Sequence, residues 1–207
     1  ISLCIFFLVA SFHFGYEDLE MFFSQNFILE TPLYFLRGLI IISAPLYLNN
    51  VETVNFIDIL LLGEKWINLE SATYAYIFYF NLVSIFSLTL LFWVKKNINL
   101  KDFFIISFEV FSIVVIFKYL PLILAFTMYF CFMHSTKHIL SLAVELNGSN
   151  VYAGIKSFAK KAAPLTIITF AMSLIMLFYL SKEFSVDKSI LKIIFIGLAA
   201  LTLPHII

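Results

Sequence analysis

Histidine is the residue type in this sequence whose spacing first indicates chemistry. The chain has four histidines, and His134 and His138 are four residues apart in an apolar stretch. Residues at i and i+4 share one face of a helix, so the two imidazoles can bind one metal ion. Polar side chains at membrane depth usually mark function. The alternative is that this pair makes helix–helix hydrogen bonds, as polar residues do in membrane bundles.

The other two histidines, His13 and His205, lie near the two ends of the sequence. If successive apolar segments cross a membrane in alternation, all four histidines fall in the same half of the bilayer. The loops on that side then hold six lysines against four on the other side, which favours the cytoplasm. Imidazole nitrogens suit Zn, Cu, Fe and Ni. The simpler alternatives are that His13 is a solvated loop residue and that His205 is structural.

Acidic and aromatic residues near the histidines are candidates for supporting roles. We expect carboxylates to hold ring N–H groups and fix the imidazole tautomer, although such acids are also common as solvated groups at helix ends; the candidates are Glu17, Asp18 and Glu145. Apolar side chains before His134 are candidates for a substrate tunnel, the alternative being lipid contact or packing; they are Phe126, Tyr129, Phe130, Phe132 and Met133.

The elements that must position these residues are apolar helices. The 207 residues are 62% hydrophobic and only 13% charged, whereas a soluble domain carries about 25% charged residues. A bilayer core about 30 Å thick needs roughly 20 apolar residues per helix. The sequence therefore predicts an all-α, polytopic transmembrane helical bundle with about seven segments: Ile1–His13, Thr31–Leu48, Ala72–Val94, Phe103–Phe117, Pro121–Leu146, Ala163–Leu180 and Ser189–Ile207.

We interpret residues 1–207 as a single transmembrane domain in which residues 49–71 form a connector with an interfacial helix. The first segment is too short to cross a bilayer and begins at Ile1, so we expect an N-terminal piece of the first helix to precede it. The formal net charge of zero gives no basic field for nucleic acid. Two cysteines, both in apolar runs, exclude a disulfide framework.

Several stretches of the sequence resemble the motifs of one known family. Residues 11–18 read SFHFGYED, and residues 129–138 read YFCFMHSTKH. The first stretch resembles the HFGxxD motif, and the second resembles the second signature, of the Brp/Blh family of membrane β-carotene 15,15′-dioxygenases. Arg37-Gly38 followed by Pro45, and Leu203-Pro204-His205, match two further segments. The Pro-His-Gly…Asp segment found on an N-terminal helix in the family has no counterpart in this sequence.

The resemblance implies an enzyme with non-haem Fe(II) that cleaves the central double bond of β-carotene with O₂ to give two all-trans-retinal. His13, His134 and His138 would be ligands, with the fourth supplied from further N-terminal and His205 near the site. It also implies a multi-pass protein of a bacterial or archaeal cell membrane, with the retinal passed to a rhodopsin.

Two other functions are compatible with an apolar chain that carries histidines. Di-iron lipid desaturases and carotenoid hydroxylases also use HxxxH on membrane helices, but they need roughly twice as many histidines, so four favour a single ion. A transporter or channel could use Arg37, Glu109 and the histidines as a polar path. Such folds tend to have internal repeats and broken helices, and neither is evident.

Overall fold

The computed structural model describes residues 2–23, 27–60, 69–148, 150–194 and 197. Within these ranges the secondary structure is helical with no strand, which confirms the predicted all-α class. The helices are α1 (Ser2–Leu19), α2 (Phe27–Leu48), α3 (Asn50–Leu60), α4 (Ser71–Val94), α5 (Leu100–Tyr119), α6 (Leu122–Met128), α7 (Ser135–Leu146) and α8 (Val151–Leu180). A 3₁₀ turn at Glu20–Phe22 follows α1, and a π-helical segment at Tyr129–His134 joins α6 to α7.

Three of the described helices are long and apolar enough to cross a membrane, somewhat fewer than the predicted seven or so. They are Ile28–Leu48 within α2, Ser71–Val94 and Val151–Leu180. The fifth predicted segment is helical without a break from Leu122 to Leu146, contains the π-helical turn, and is not among these three. Most of the seventh, Ser189–Ile207, lies outside the described residues, although 186–194 are helical.

Two helices extend beyond the apolar runs that predict them and include charged residues. The first segment, predicted to stop at His13, continues as a helix to Leu19. The sixth, predicted from Ala163, begins at Val151, where the side chain of Asn150 accepts a hydrogen bond from Ala153 N at 3.1 Å. That bond satisfies one of the backbone N–H groups left free at a helix start. Apolar run length therefore underestimates these two helices.

Two compact units can be distinguished by their internal contacts, one comprising residues 1–57 and 65–134 and the other residues 58–64 and 135–207. In the first unit, α1 and α2 form an antiparallel pair whose backbones touch. A Cβ at Gly15 would collide with the carbonyl oxygen of Tyr34, and one at Gly38 with that of Ser11. Only glycine permits this approach, and small residues at such contacts are typical of membrane helix pairs.

In the first unit, α4 and α5 pack against α2, and α6 packs against α5. On α4, Asn81 is 1% exposed, and its side chain is hydrogen-bonded to Ser43 Oγ of α2 at 3.1 Å. The predicted connector contains α3, from which Glu52 Oε2 accepts a hydrogen bond from Leu122 N at 3.0 Å at the start of α6. Residues 61–68 of the connector lie outside the described ranges, and its interfacial position stays a prediction.

The second unit contains the helix pair α7 and α8. A Cβ at Gly154 of α8 would collide with the carbonyl oxygen of Ala143, so the two backbones are again in contact. From residue 162 to its end at Leu180, α8 has no charged residue, and 0% of its most apolar 18-residue window is buried. An exposed apolar helix of this length is suited to lipid.

Candidate functional site

The carboxylate of Asp18, on α1, is the centre of the most extensive polar contact in the first unit. Asp18 is 1% exposed, and its Oδ2 accepts hydrogen bonds from Arg37 Nη2 at 2.9 Å and from the Tyr129 hydroxyl at 3.0 Å. Its Oδ1 lies 3.2 Å from His134 Nδ1. Both oxygens are therefore engaged, as a buried carboxylate requires.

Arg37 connects Asp18 to a second carboxylate. The guanidinium, 0% exposed on α2, places Nη2 3.4 Å from Glu109 Oε2 on α5 as well as against Asp18. We call Asp18, Arg37, Glu109, Tyr129 and His134 the Asp18 network. With both acids ionised, one cation lies between two carboxylates and leaves one excess negative charge. Buried charges persist only when paired in this way.

The π-helical segment explains how Tyr129 and His134 reach the same carboxylate. In an α-helix, residues five apart point about 140° away from each other because a turn takes 3.6 residues. The wider i→i+5 turn of a π-helix places them on one side. Their rings stack at 6.0 Å between centroids, and both contact Asp18. Single π-helical turns in proteins are frequently found at functional sites.

His13 of α1 lies beside His134, with 5.9 Å between the ring centroids. Nδ1 of His134 is directed at a carboxylate; in the tautomer that donates Nδ1–H to Asp18, Nε2 is the nitrogen with the lone pair. With metal–nitrogen distances of about 2.0–2.1 Å, two imidazoles on one ion have centroids within roughly 6.4 Å of each other. The 5.9 Å between the rings of His13 and His134, the histidine pair, lies within this limit, and imidazole is a suitable donor for iron.

Aromatic rings pack against His134 and against one another. Phe14, 8% exposed, lies 5.2 Å from the ring of His134 and 5.2 Å from Phe130. The ring centroid of Phe130 is 5.8 Å from that of His134, and Phe130 stacks on Phe126 with 6.2 Å between their centroids. These edge-to-face and stacked contacts form an apolar wall next to an imidazole.

Comparison with known proteins decides the family. The family model described as "Beta-carotene 15,15'-dioxygenase" matches residues 1–207. The chain belongs to the beta-carotene 15,15′-dioxygenase family. The family resemblance of the motifs around His13 and His134 is thereby confirmed.

One curated relative in the beta-carotene 15,15′-dioxygenase family carries the same description. It comes from the uncultured marine bacterium 66A03 and is 30% identical over 102 residues, which are 49% of this chain and 36% of the relative. The matched region thus spans about a third of the relative's length. No solved structure matches the chain.

The structure brings together some of the predicted site residues of this dioxygenase-family chain, namely His13, His134 and Asp18. Glu17 is half-buried on α1, about 100° around the helix from Asp18. In the second unit, His138 is half-buried and Glu145 is exposed on α7. His205 lies outside the described residues. Within the described ranges, no three His, Cys, Asp or Glu residues converge as metal ligands.

The predicted tunnel residues differ in their surroundings. Tyr129 is fully buried, and its hydroxyl belongs to the Asp18 network. Phe132 is 67% exposed on the same π-helical segment, whereas Met133 is half-buried. Phe126 and Phe130 are thus the members of this predicted set that line the aromatic wall.

Sequence reasoning did not assign Arg37, Glu109 or Phe14 to this site. Arg37 is the only arginine in the chain and lies within an apolar helix, and Glu109 lies within another. Charged residues inside membrane helices usually pair with one another. Opposite charges on two such helices were the feature that could have predicted this ion pair.

Proposed function

We propose that this protein is a non-haem iron oxygenase that cleaves the central 15,15′ double bond of β-carotene with O₂ to give two all-trans-retinal. Membership of the beta-carotene 15,15′-dioxygenase family supports the substrate and the bond. The observation that carries the chemistry is the histidine pair, two imidazoles from separate elements whose rings lie 5.9 Å apart beside a buried carboxylate. Such a donor set is typical of a metal site with a second layer of support.

In this proposal His13 and His134 hold the iron, with His138 as a third ligand and His205 as a neighbour. Fe(II), when bound, supplies activation of O₂ next to the substrate. The chain's own contribution is orientation, because Asp18 accepts the Nδ1–H of His134 and turns the Nε2 lone pair toward the ion. Tyr129 and Arg37 keep Asp18 in place through its other oxygen.

The aromatic wall is suited to a long apolar polyene. Phe14 and Phe130 lie beside His134, and Phe126 stacks on Phe130; in this proposal these rings keep water away from the reacting double bond. β-Carotene is dissolved in the lipid phase, so it can reach the site sideways between helices. The three helices with membrane-spanning length and hydropathy support a location in a membrane.

The test uses the full-length protein purified in detergent. We expect bound iron by metal analysis and retinal from β-carotene by HPLC. His13→Ala, His134→Ala and His138→Ala should each abolish turnover, because an ion that loses one imidazole is underligated, and His205→Ala should cause a milder loss.

The control is Phe108→Ala, a substitution at a position on α5 that is 69% exposed. It should leave retinal formation at the wild-type rate. Absence of both iron and retinal in the wild-type preparation would refute the proposal. Wild-type rates in His134→Ala would instead assign the histidine pair to helix packing.

A further inference from the structure

Arg37 has a geometry that stability alone does not explain. A single nitrogen, Nη2, contacts both Asp18 and Glu109, while Nε and Nη1 meet no hydrogen-bond acceptor among the residues the structure describes. Strong arginine–carboxylate pairs are usually bidentate. A buried ion pair with orphaned N–H groups is weak support for a fold, and apolar replacements of buried pairs are often neutral or stabilising.

What Arg37 does hold is the orientation of one carboxylate. Its Nη2 and the Tyr129 hydroxyl both occupy Oδ2 of Asp18, so that Oδ1 is the oxygen facing His134 Nδ1. Without the guanidinium, Asp18 would lose the 2.9 Å contact to Oδ2 and could rotate about its Cβ–Cγ bond. The contact with His134 Nδ1 would then lose its fixed direction.

We propose that Arg37 is a positioning residue of the candidate iron site, acting through Asp18 to hold His134 as the Nδ1–H tautomer. Glu109, on α5, contacts the same Nη2 atom of Arg37 and helps to hold the guanidinium in place. Arg37 thus determines which ring nitrogen of His134 can bind the ion, although it acts on His134 only through Asp18. This inference rests on the proposed function for its consequence on iron, but the tautomer itself is a property of the metal-free protein.

The test requires a variant that removes the contact without changing the charge. Arg37→Met alone would remove the cation between a buried carboxylate, Asp18, and a half-buried one, Glu109, which is strongly destabilising. The double variant Arg37→Met/Glu109→Gln keeps the same excess of one negative charge in the network and similar side-chain volumes. The matched control is Glu30→Gln, since Glu30 is also buried on α2 but accepts a hydrogen bond from Tyr34 at 2.8 Å.

The first measurement is ¹⁵N NMR of imidazole-labelled, metal-free protein above the ordinary histidine pKa of about 6.5. Four histidines give a simple spectrum, and His134→Ala assigns the relevant signals. We expect His134 to be a single Nδ1–H tautomer in the wild type and in Glu30→Gln. In the double variant we expect a mixture of tautomers.

The second measurement is Fe(II) affinity by competition with a chelator, together with the thermal midpoint. Loss of an outer partner typically lowers metal affinity about 10–100-fold, and we expect this in the double variant but not in Glu30→Gln. An unchanged tautomer and unchanged iron affinity, even with a lowered thermal midpoint, would overturn the proposal.

Arg37→Lys serves if the double variant fails to fold. Lysine keeps the charge but carries it on a flexible four-carbon stem with three rotatable donors, so it should not hold Asp18 in one direction. We again expect mixed tautomers and about tenfold weaker iron binding; wild-type values would overturn the proposal. A wild-type protein that binds no iron would refute the proposed function, whereas the tautomer comparison would still decide the role of Arg37.

Discussion

At the scale of single residues, the site depends on one carboxylate that four other residues help to hold. Asp18 accepts directly from Arg37 and Tyr129 and faces His134, and Glu109 contacts the far side of the arginine. An isolated carboxylate in an apolar bundle would be very costly. The same contacts that offset this cost also orient an imidazole, so stability and site geometry are coupled here.

The hydroxyl of Tyr129 can be removed with little change in shape. We expect Tyr129→Phe to lower the free energy of unfolding by about 1.5–3 kcal/mol, because a buried hydrogen bond to a charged group is lost while Asp18 keeps Arg37 and His134. Denaturant titration in detergent measures this. Tyr119→Phe, at a position that is 72% exposed, is the control. Equal stability of the two variants would contradict the importance of this contact.

The sequence predicted part of this site for a clear physical reason. His13, His134 and Asp18 could be singled out because polar residues in apolar runs are costly and therefore informative. The pairing of Arg37 with Asp18 depends on how α1 meets α2, which residue types alone do not specify. The π-helical turn that brings Tyr129 beside His134 was also not predictable, because the letters of residues 129–134 fit an α-helix equally well.

At the scale of elements, one glycine in α1 and one in α2, at the contact between the two helices, determine where the site residues meet. Gly15 follows His13 by two residues and Gly38 follows Arg37 by one. Because each glycine lies against the backbone of the opposite helix, the helices approach closely enough for Arg37 to reach Asp18. The motif glycines therefore act on the site through helix packing.

Gly38→Ala tests this packing. On intrinsic helix propensity alone, alanine would stabilise α2 by about 1 kcal/mol. We expect the opposite sign, since the added Cβ would collide with the carbonyl oxygen of Ser11. The measurement is the thermal midpoint and the yield of monodisperse protein. Gly148→Ala is the control, because its Cβ would meet only Val144 O at 3.7 Å. A stabilised Gly38→Ala protein would show that the helices are not in contact.

The ends of helices could be predicted only where the polar residues lie outside them. For α4, the predicted bounds Ala72–Val94 agree with Ser71–Val94 to one residue, because Glu70 and Lys95 flank a wholly uncharged run. For α1 and α8, charged residues lie within the helix and the apolar run is shorter than the element. Hydropathy reports burial in lipid, whereas helix length is decided by backbone hydrogen bonds and caps.

At the scale of the whole molecule, the exposed apolar surface requires an apolar solvent. The outer part of α8 carries exposed large side chains on every side, including Phe170, Met172 and Tyr179. A soluble monomer rarely exposes a contiguous apolar patch larger than a few hundred Å². The composition points the same way, since 62% hydrophobic and 13% charged residues cannot cover such a chain with polar surface.

Two lysine substitutions on α8 test whether this surface lies in lipid. Met172 and Tyr179 are 65% and 64% exposed, but Met172 is in the middle of the apolar run and Tyr179 is near its end, three residues before Lys182. A lysine at the centre of a membrane helix costs about 2.5–3.5 kcal/mol on insertion scales, whereas one near the end can extend to the headgroups. We expect Met172→Lys to reduce the membrane-integrated yield severalfold and Tyr179→Lys to have little effect. In water, neither of these exposed positions would carry the cost of placing a lysine in lipid. Equal yields of the two variants would therefore mean that α8 is not in the bilayer.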